Sequence, residues 1–187
     1  MSTAPEPLVS WLSRQRRTNE LQLEVMAQYF DLDGAIASHQ PELAWRAREC
    51  LVVVAAELYL RARDVSYDSW SDRTERTAAL LTALTRVDPA LGDKAWELVL
   101  APLPAVDDAR SDGIRRTLDF LGTHLDLPAA SRKEAIRMWA DGVRVLREIA
   151  QWLGLAQSDG WYLTGESAAE DQLSWYDEVI GQLEEEP

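Results

Sequence analysis

The chain contains one cysteine, Cys50, so no disulfide can close within it. Cys50 opens the apolar run Cys50–Ala56 and reads as a small buried hydrophobe rather than a nucleophile. Histidine is nearly as scarce. His39 and His124 lie far apart and neither has a second histidine at i+3 or i+4, which excludes a histidine-rich metal site. Arg116 stands eight residues before His124, too far for the closely spaced Arg…His motif of helical ribonucleases. No nucleophile elbow marks a serine triad, and no dinucleotide or phosphate loop is present, so neither a cofactor nor a metal is expected. No stretch approaches the roughly 18 apolar residues of a membrane span. The start, MSTAPEP, is polar, and Arg14, Arg16 and Arg17 follow with no hydrophobic stretch behind them. No signal peptide is therefore expected, and the expected address is cytoplasmic.

Positive charge is also short. Nineteen Lys and Arg stand against 32 Asp and Glu, giving a net charge of −13 and a pI near 4.5. A field of that sign repels nucleic acid and anionic membranes and attracts cationic ligands or basic partners. The expected partner is thus a protein or a small molecule, a cationic one included, with no nucleic acid and no membrane; a homodimer is compatible. Phenylalanine is rare, two against eight Trp. Tryptophan buries a large area and keeps one N–H donor, which suits helix interfaces and pocket walls.

What is there is helix. The 187 residues, 47% apolar and 27% charged, suit a single helical domain over 1–187. Leu21, Val25 and Tyr29 mark a first helix over 7–30, whose polar stretch Ser13–Glu20 makes 1–30 a candidate packing or partner-binding arm. A second helix follows Pro41 with the stripe Leu43, Ala47, Leu51, Val54, Leu58 and Ala62; its all-round apolar run Cys50–Ala56 places it centrally. Asp72 with Glu75 forms a capping box for a third, and Asp88-Pro89 an N-cap and N1 proline for a fourth that ends before Pro102. Ile114, Leu118, Leu121 and Leu125 mark a fifth. Ser131 with Glu134 and Ser167 with Glu170 open a sixth and a seventh. The pattern predicts an all-α up-and-down bundle of about seven helices.

Three polar patterns bear on chemistry. Phe30-Asp31-Leu32-Asp33-Gly34 resembles the first motif of haloacid-dehalogenase-type phosphatases, where two carboxylates one residue apart at a strand end face one phosphoryl group. The preceding segment reads as helix, Ala35 stands where that family has Thr, and no strand–helix alternation follows, so Asp31 and Asp33 read as structural beside a helix stop at Gly34. Asp107, Asp108 and Asp112 resemble the aspartate-rich motifs of helical isoprenoid enzymes, but they also suit a helix N-terminus, where the dipole favours acids. Arg137, Arg144 and Arg147 could hold a carboxylate or phosphate; pairing of Arg137 with Asp141 and Arg144 with Glu148 on a solvated face is the plainer reading.

Segment 41–101 resembles the helical C-terminal half of kanamycin-type nucleotidyltransferases, through Ala44-Trp45-Arg46-Ala47-Arg48-Glu49-Cys50-Leu51, Ala56-Glu57-Leu58-Tyr59-Leu60 and the polar link Ser66–Trp70. The resemblance implies a helical unit that helps bind a substrate, often a cationic aminoglycoside. The catalytic sheet domain and its Gly-Ser…Asp-x-Asp signature are absent, so nucleotide transfer by this chain alone is not implied. The expected function is non-catalytic binding, the alternative a small all-α enzyme with a pocket of carboxylates, Arg and Trp. Loop 156–166 sets Trp161 and Tyr162 between glycines, and with Arg137 and Arg144 these are the candidate binding residues.

Overall fold

The computed structural model of the protein describes residues 6–104, 107–125, 127, 134–139 and 141–142. Five helices follow in order: α1 Glu6–Ala37, α2 Pro41–Ala62, α3 Arg73–Val87, α4 Pro89–Leu100 and α5 Asp107–His124. A sixth helical stretch, α6, covers 134–139 and 141–142. No strand occurs among the described residues, and the all-α expectation holds. The expected seventh helix and loop 156–166 lie outside the described residues.

Helix α1 is longer than its first apolar stripe suggested. The buried positions Leu21, Val25, Tyr29, Leu32 and Ala35 continue one face past Phe30, and that burial outweighs the helix-interior cost of Gly34, about 1 kcal/mol. The stop is His39 instead. It takes the left-handed conformation with φ 55°, and the Gln40 N–H reaches back to the carbonyl of Ala35 at 2.8 Å. Asp31 and Asp33 are both exposed on this helix. They therefore lack the strand end that the phosphatase motif requires.

Helix α2 opens with Pro41 at N1 and packs against α3, α4 and α5. Val52–Val54 are helical and buried. Being enclosed on several sides, α2 buries more than a narrow stripe: Ala47, Leu51 and Val54 are buried as expected, but the ends of the stripe are not. Leu43 is 52% exposed, Leu58 is half-buried and Ala62 exposed, whereas Trp45, Arg48, Glu57 and Leu60 are buried.

The caps of α3 and α4 formed as read, while those at Ser131 and Ser167 lie outside the described residues. Asp72 accepts from the Glu75 N–H at 2.9 Å, and Glu75 accepts in return from the Ser71 N–H at 2.8 Å. Asp88 accepts from the Leu91 N–H at 3.0 Å, so one residue ends α3 and starts α4. This tight corner brings α4 back along α3, and Gly92 is where they touch: a Cβ there would overlap the backbone of Thr85.

The described residues fall into two compact units, one holding residues up to Leu23 together with those from Lys133 onward, the other Glu24–Arg132. Within the first, Asn19 Nδ2 of α1 donates to the Trp139 carbonyl of α6 at 3.0 Å. Gly142 permits the approach, since a Cβ there would press on Asn19 and Gln22. The second unit contains α2 to α5 and the features described next.

Candidate functional site

Helix α4 has no basic residue in its last turn, so its C-terminal carbonyls need donors from elsewhere. Helix α2 supplies them from two residues on one face, three apart. Arg48 Nη2 donates to the Leu98 carbonyl at 2.7 Å, and Trp45 Nε1 donates to the Ala101 carbonyl at 3.3 Å. Arg48 Nη1 also donates to Thr117 Oγ1 of α5 at 3.1 Å. Trp45 lies so close to Gly113 of α5 that a Cβ there would sit 2.9 Å from the indole. The two side chains also stack on each other, with the guanidinium carbon 3.7 Å from the indole centroid. One α2 pair thus joins α2, α4 and α5.

Arg48 is 1% exposed, and among the described residues its carboxylate neighbour is Glu49 at 4.0 Å. Among the described residues its Nε has no hydrogen-bond partner. Burial holds the guanidinium below its ordinary pKa, with Glu49 pulling weakly the other way. Arg48 lines a cleft of about 720 Å³ between α2, α4 and α5, together with Trp45, Tyr59, Phe120 and His124. Phe120 and His124 pack ring against ring at 5.6 Å, and Arg63 covers one face of Tyr59 at 3.4 Å. Toward the rim Lys94 is answered by Glu97 at 2.9 Å and Arg116 by Asp112 at 2.9 Å, and the acids Asp88 and Asp119 also line the cleft.

A second polar cluster holds the unit together. Arg76 of α3 grips Glu24 of α1 through two bonds, at 2.7 and 2.9 Å, and donates to Glu57 of α2 at 2.9 and 3.2 Å. Glu57 is fully buried and also accepts from the Tyr67 hydroxyl at 3.2 Å. Burial alone would lower the Arg76 pKa, but the two carboxylates outweigh it and raise it. Burial pushes the Tyr67 pKa up, against a bond from Arg61 that favours the phenolate.

Cys50 corrects the sequence reading. It is half-buried rather than buried and lines a smaller cleft of about 490 Å³ with Asp31, Arg46 and Arg73. Arg73 Nη2 donates to its sulfur at 2.8 Å. Even so, burial outweighs Arg73 and raises the thiol pKa, which keeps the thiolate scarce at neutral pH.

Of the candidate binding residues, Trp161, Tyr162 and Arg144 lie outside the described residues. Arg137 is half-buried on α6 and already engaged by a partner; it does not line the Trp45–Arg48 cleft. Asp107 opens α5, and Asp112 is tied to Arg115 and Arg116. Among the described residues no three His, Cys, Asp or Glu side chains are grouped to hold a metal ion. The sequence reading missed the cleft. Its signal was a charged residue, Arg48, three positions after a Trp inside the most apolar helix, where an unpaired charge costs most. Comparison with protein families, with characterised proteins and with solved structures finds no match for this chain.

Proposed function

We propose that this protein is a non-catalytic helical binding protein whose α2–α4–α5 cleft takes a small, partly planar organic molecule. One observation carries the reading: a buried arginine stacked on a tryptophan in the wall of an aromatic cleft, with a guanidinium N–H lacking a partner among the described residues. Small-molecule sites occupy about 300–1,000 Å³ and combine apolar walls with a few fixed polar groups. The cleft, at about 720 Å³, has that size and that composition. Its wall residues are held by bonds across three helices, so the shape exists before a ligand arrives, which lowers the ordering cost of binding.

Two further points support binding over catalysis. Lys94 and Glu97 of the lining are paired with each other, and His124 packs its ring on Phe120. The resemblance of segment 41–101 to a helical substrate-binding half also favours this reading, because it runs through Trp45, Arg48 and Tyr59.

Ligand-observed NMR with a panel of aromatic acids, alcohols and amines tests the proposal. Saturable binding is expected for at least one class, with displacement of the Trp45 indole N–H signal and loss of binding in Trp45→Phe. Binding that is indifferent to Trp45→Phe, or no saturable binding by any class, would remove the cleft as the functional site.

A further inference from the structure

We infer that the cleft ligand carries a carboxylate that pairs with Arg48, an inference that rests on the small-molecule reading above. The acidity of the whole chain favours cations at long range, but the cleft is read by its own deepest charge. That charge is Arg48, 1% exposed. A buried cation normally takes a carboxylate or an equivalent partner, because desolvation is otherwise uncompensated. Here the described partners are a carbonyl oxygen, a hydroxyl and an indole face. They orient the guanidinium without neutralising it. Glu49, at 4.0 Å, lies beyond hydrogen-bond reach.

Geometry narrows the ligand further. The bonds to Leu98 and Thr117 engage one hydrogen on each Nη, which leaves one hydrogen on each Nη and the Nε–H, the last shut from solvent until the side chain turns toward the cleft. Two parallel N–H donors on one edge match the two oxygens of a planar carboxylate. A cationic ligand meets a less suitable site. One face of Trp45 already carries Arg48 at 3.7 Å, and one face of Tyr59 carries Arg63 at 3.4 Å. Of the rim carboxylates, Glu97 is paired with Lys94 and Asp88 caps α4, while Asp119 stands exposed to water. Trp45 and Phe120, both largely buried in the wall, give the cleft an apolar lining that suits a flat body attached to the carboxylate. The class is therefore an aromatic or otherwise planar monocarboxylate.

Three isosteric probes test this on the full chain: 2-naphthoate, 2-naphthalenemethanol and 2-naphthylmethylammonium, titrated by calorimetry with the Trp45 indole N–H followed by NMR. Naphthoate should bind at least about tenfold more tightly than either of the others. Arg48→Lys, which keeps the charge but loses the two-donor edge, should erase most of that preference while leaving the alcohol's affinity within about threefold. The comparison on the unaltered protein stands even if the variant folds poorly. If all three probes move the Trp45 signal with equal affinity, or the ammonium binds best, the carboxylate assignment is overturned and the small-molecule reading survives. If none moves it, both fall.

Discussion

Among the described residues three arginines each answer a different physical problem. Arg48 caps the end of another helix from within the core. Arg76 neutralises a buried glutamate. Arg73 faces a sulfur. Two predictions follow at this scale. Replacing Arg76 by Met takes two hydrogen bonds and a positive charge from the fully buried Glu57 and should cost about 3–5 kcal/mol, as breaking a buried pair does. Adding Glu57→Leu to that variant should recover much of the loss in urea denaturation; if the double variant is no better than the single one, Glu57 is not what the arginine serves. For Cys50, burial raises the thiol pKa and the Arg73 charge opposes it. Iodoacetamide should alkylate Cys50 more slowly than a free thiol at pH 8, with a rate still climbing above pH 9. Arg73→Gln should shift that profile further alkaline. A shift toward acid would show that Arg73 acts on Cys50 by blocking access rather than by its charge.

Helices make the contrast between local and tertiary causes testable through glycine. Gly34 lies within α1 with nothing within 4 Å of where a Cβ would be, whereas Gly92 faces the backbone of Thr85 in α3. Both sit in helix interiors, where alanine is intrinsically better by about 1 kcal/mol. Gly34→Ala should therefore raise stability by roughly that amount, and Gly92→Ala should lower it by about 2 kcal/mol or more, because a packed backbone cannot yield as a flexible side chain can. Equal responses in a thermal melt would mean that the α3–α4 corner is looser than its geometry. The same contrast explains what was legible in the sequence. Asp72, Asp88 and Pro89 act within a few residues, so the starts of α3 and α4 could be read directly. The end of α1 could not: a stop glycine at 34 is plausible locally, and only the burial of Leu32 and Ala35 overrides it. The cleft was harder still. Trp45 and Arg48 sit in one helix, but what makes them a site is the carbonyl end of α4, Thr117 and the space beside Gly113, none of which is near in sequence. Charge inside an apolar helix, at Arg48 and Glu57, was the one local sign of both polar clusters.

Across the whole molecule, alkaline pH should be the more informative direction of destabilisation. Cys50 and Tyr67 both have folded-state pKa values above their ordinary values of 9.0 and 10.0, in each case chiefly because burial disfavours the anion. A group raised in this way binds its proton more tightly in the folded than in the unfolded chain. Its contribution is fully present below the unfolded pKa. It is lost as the unfolded chain releases the proton and the folded chain does not, until the folded pKa is passed. Stability should thus be flat over neutral pH, begin to fall near pH 9 through Cys50, and fall further above about pH 10 through Tyr67. The net charge of −13 adds a general decline, since each further deprotonation increases self-repulsion. The two contributions separate by substitution. Cys50→Ala should remove the earlier part of the fall, and Tyr67→Phe the later part, although the second variant will start from lower stability because Glu57 loses the tyrosine hydroxyl. Urea midpoints measured under reducing conditions from pH 7 to 10.5 decide the matter. If the slope in the double variant equals that of the parent, general repulsion accounts for the whole decline and neither buried group is linked to folding.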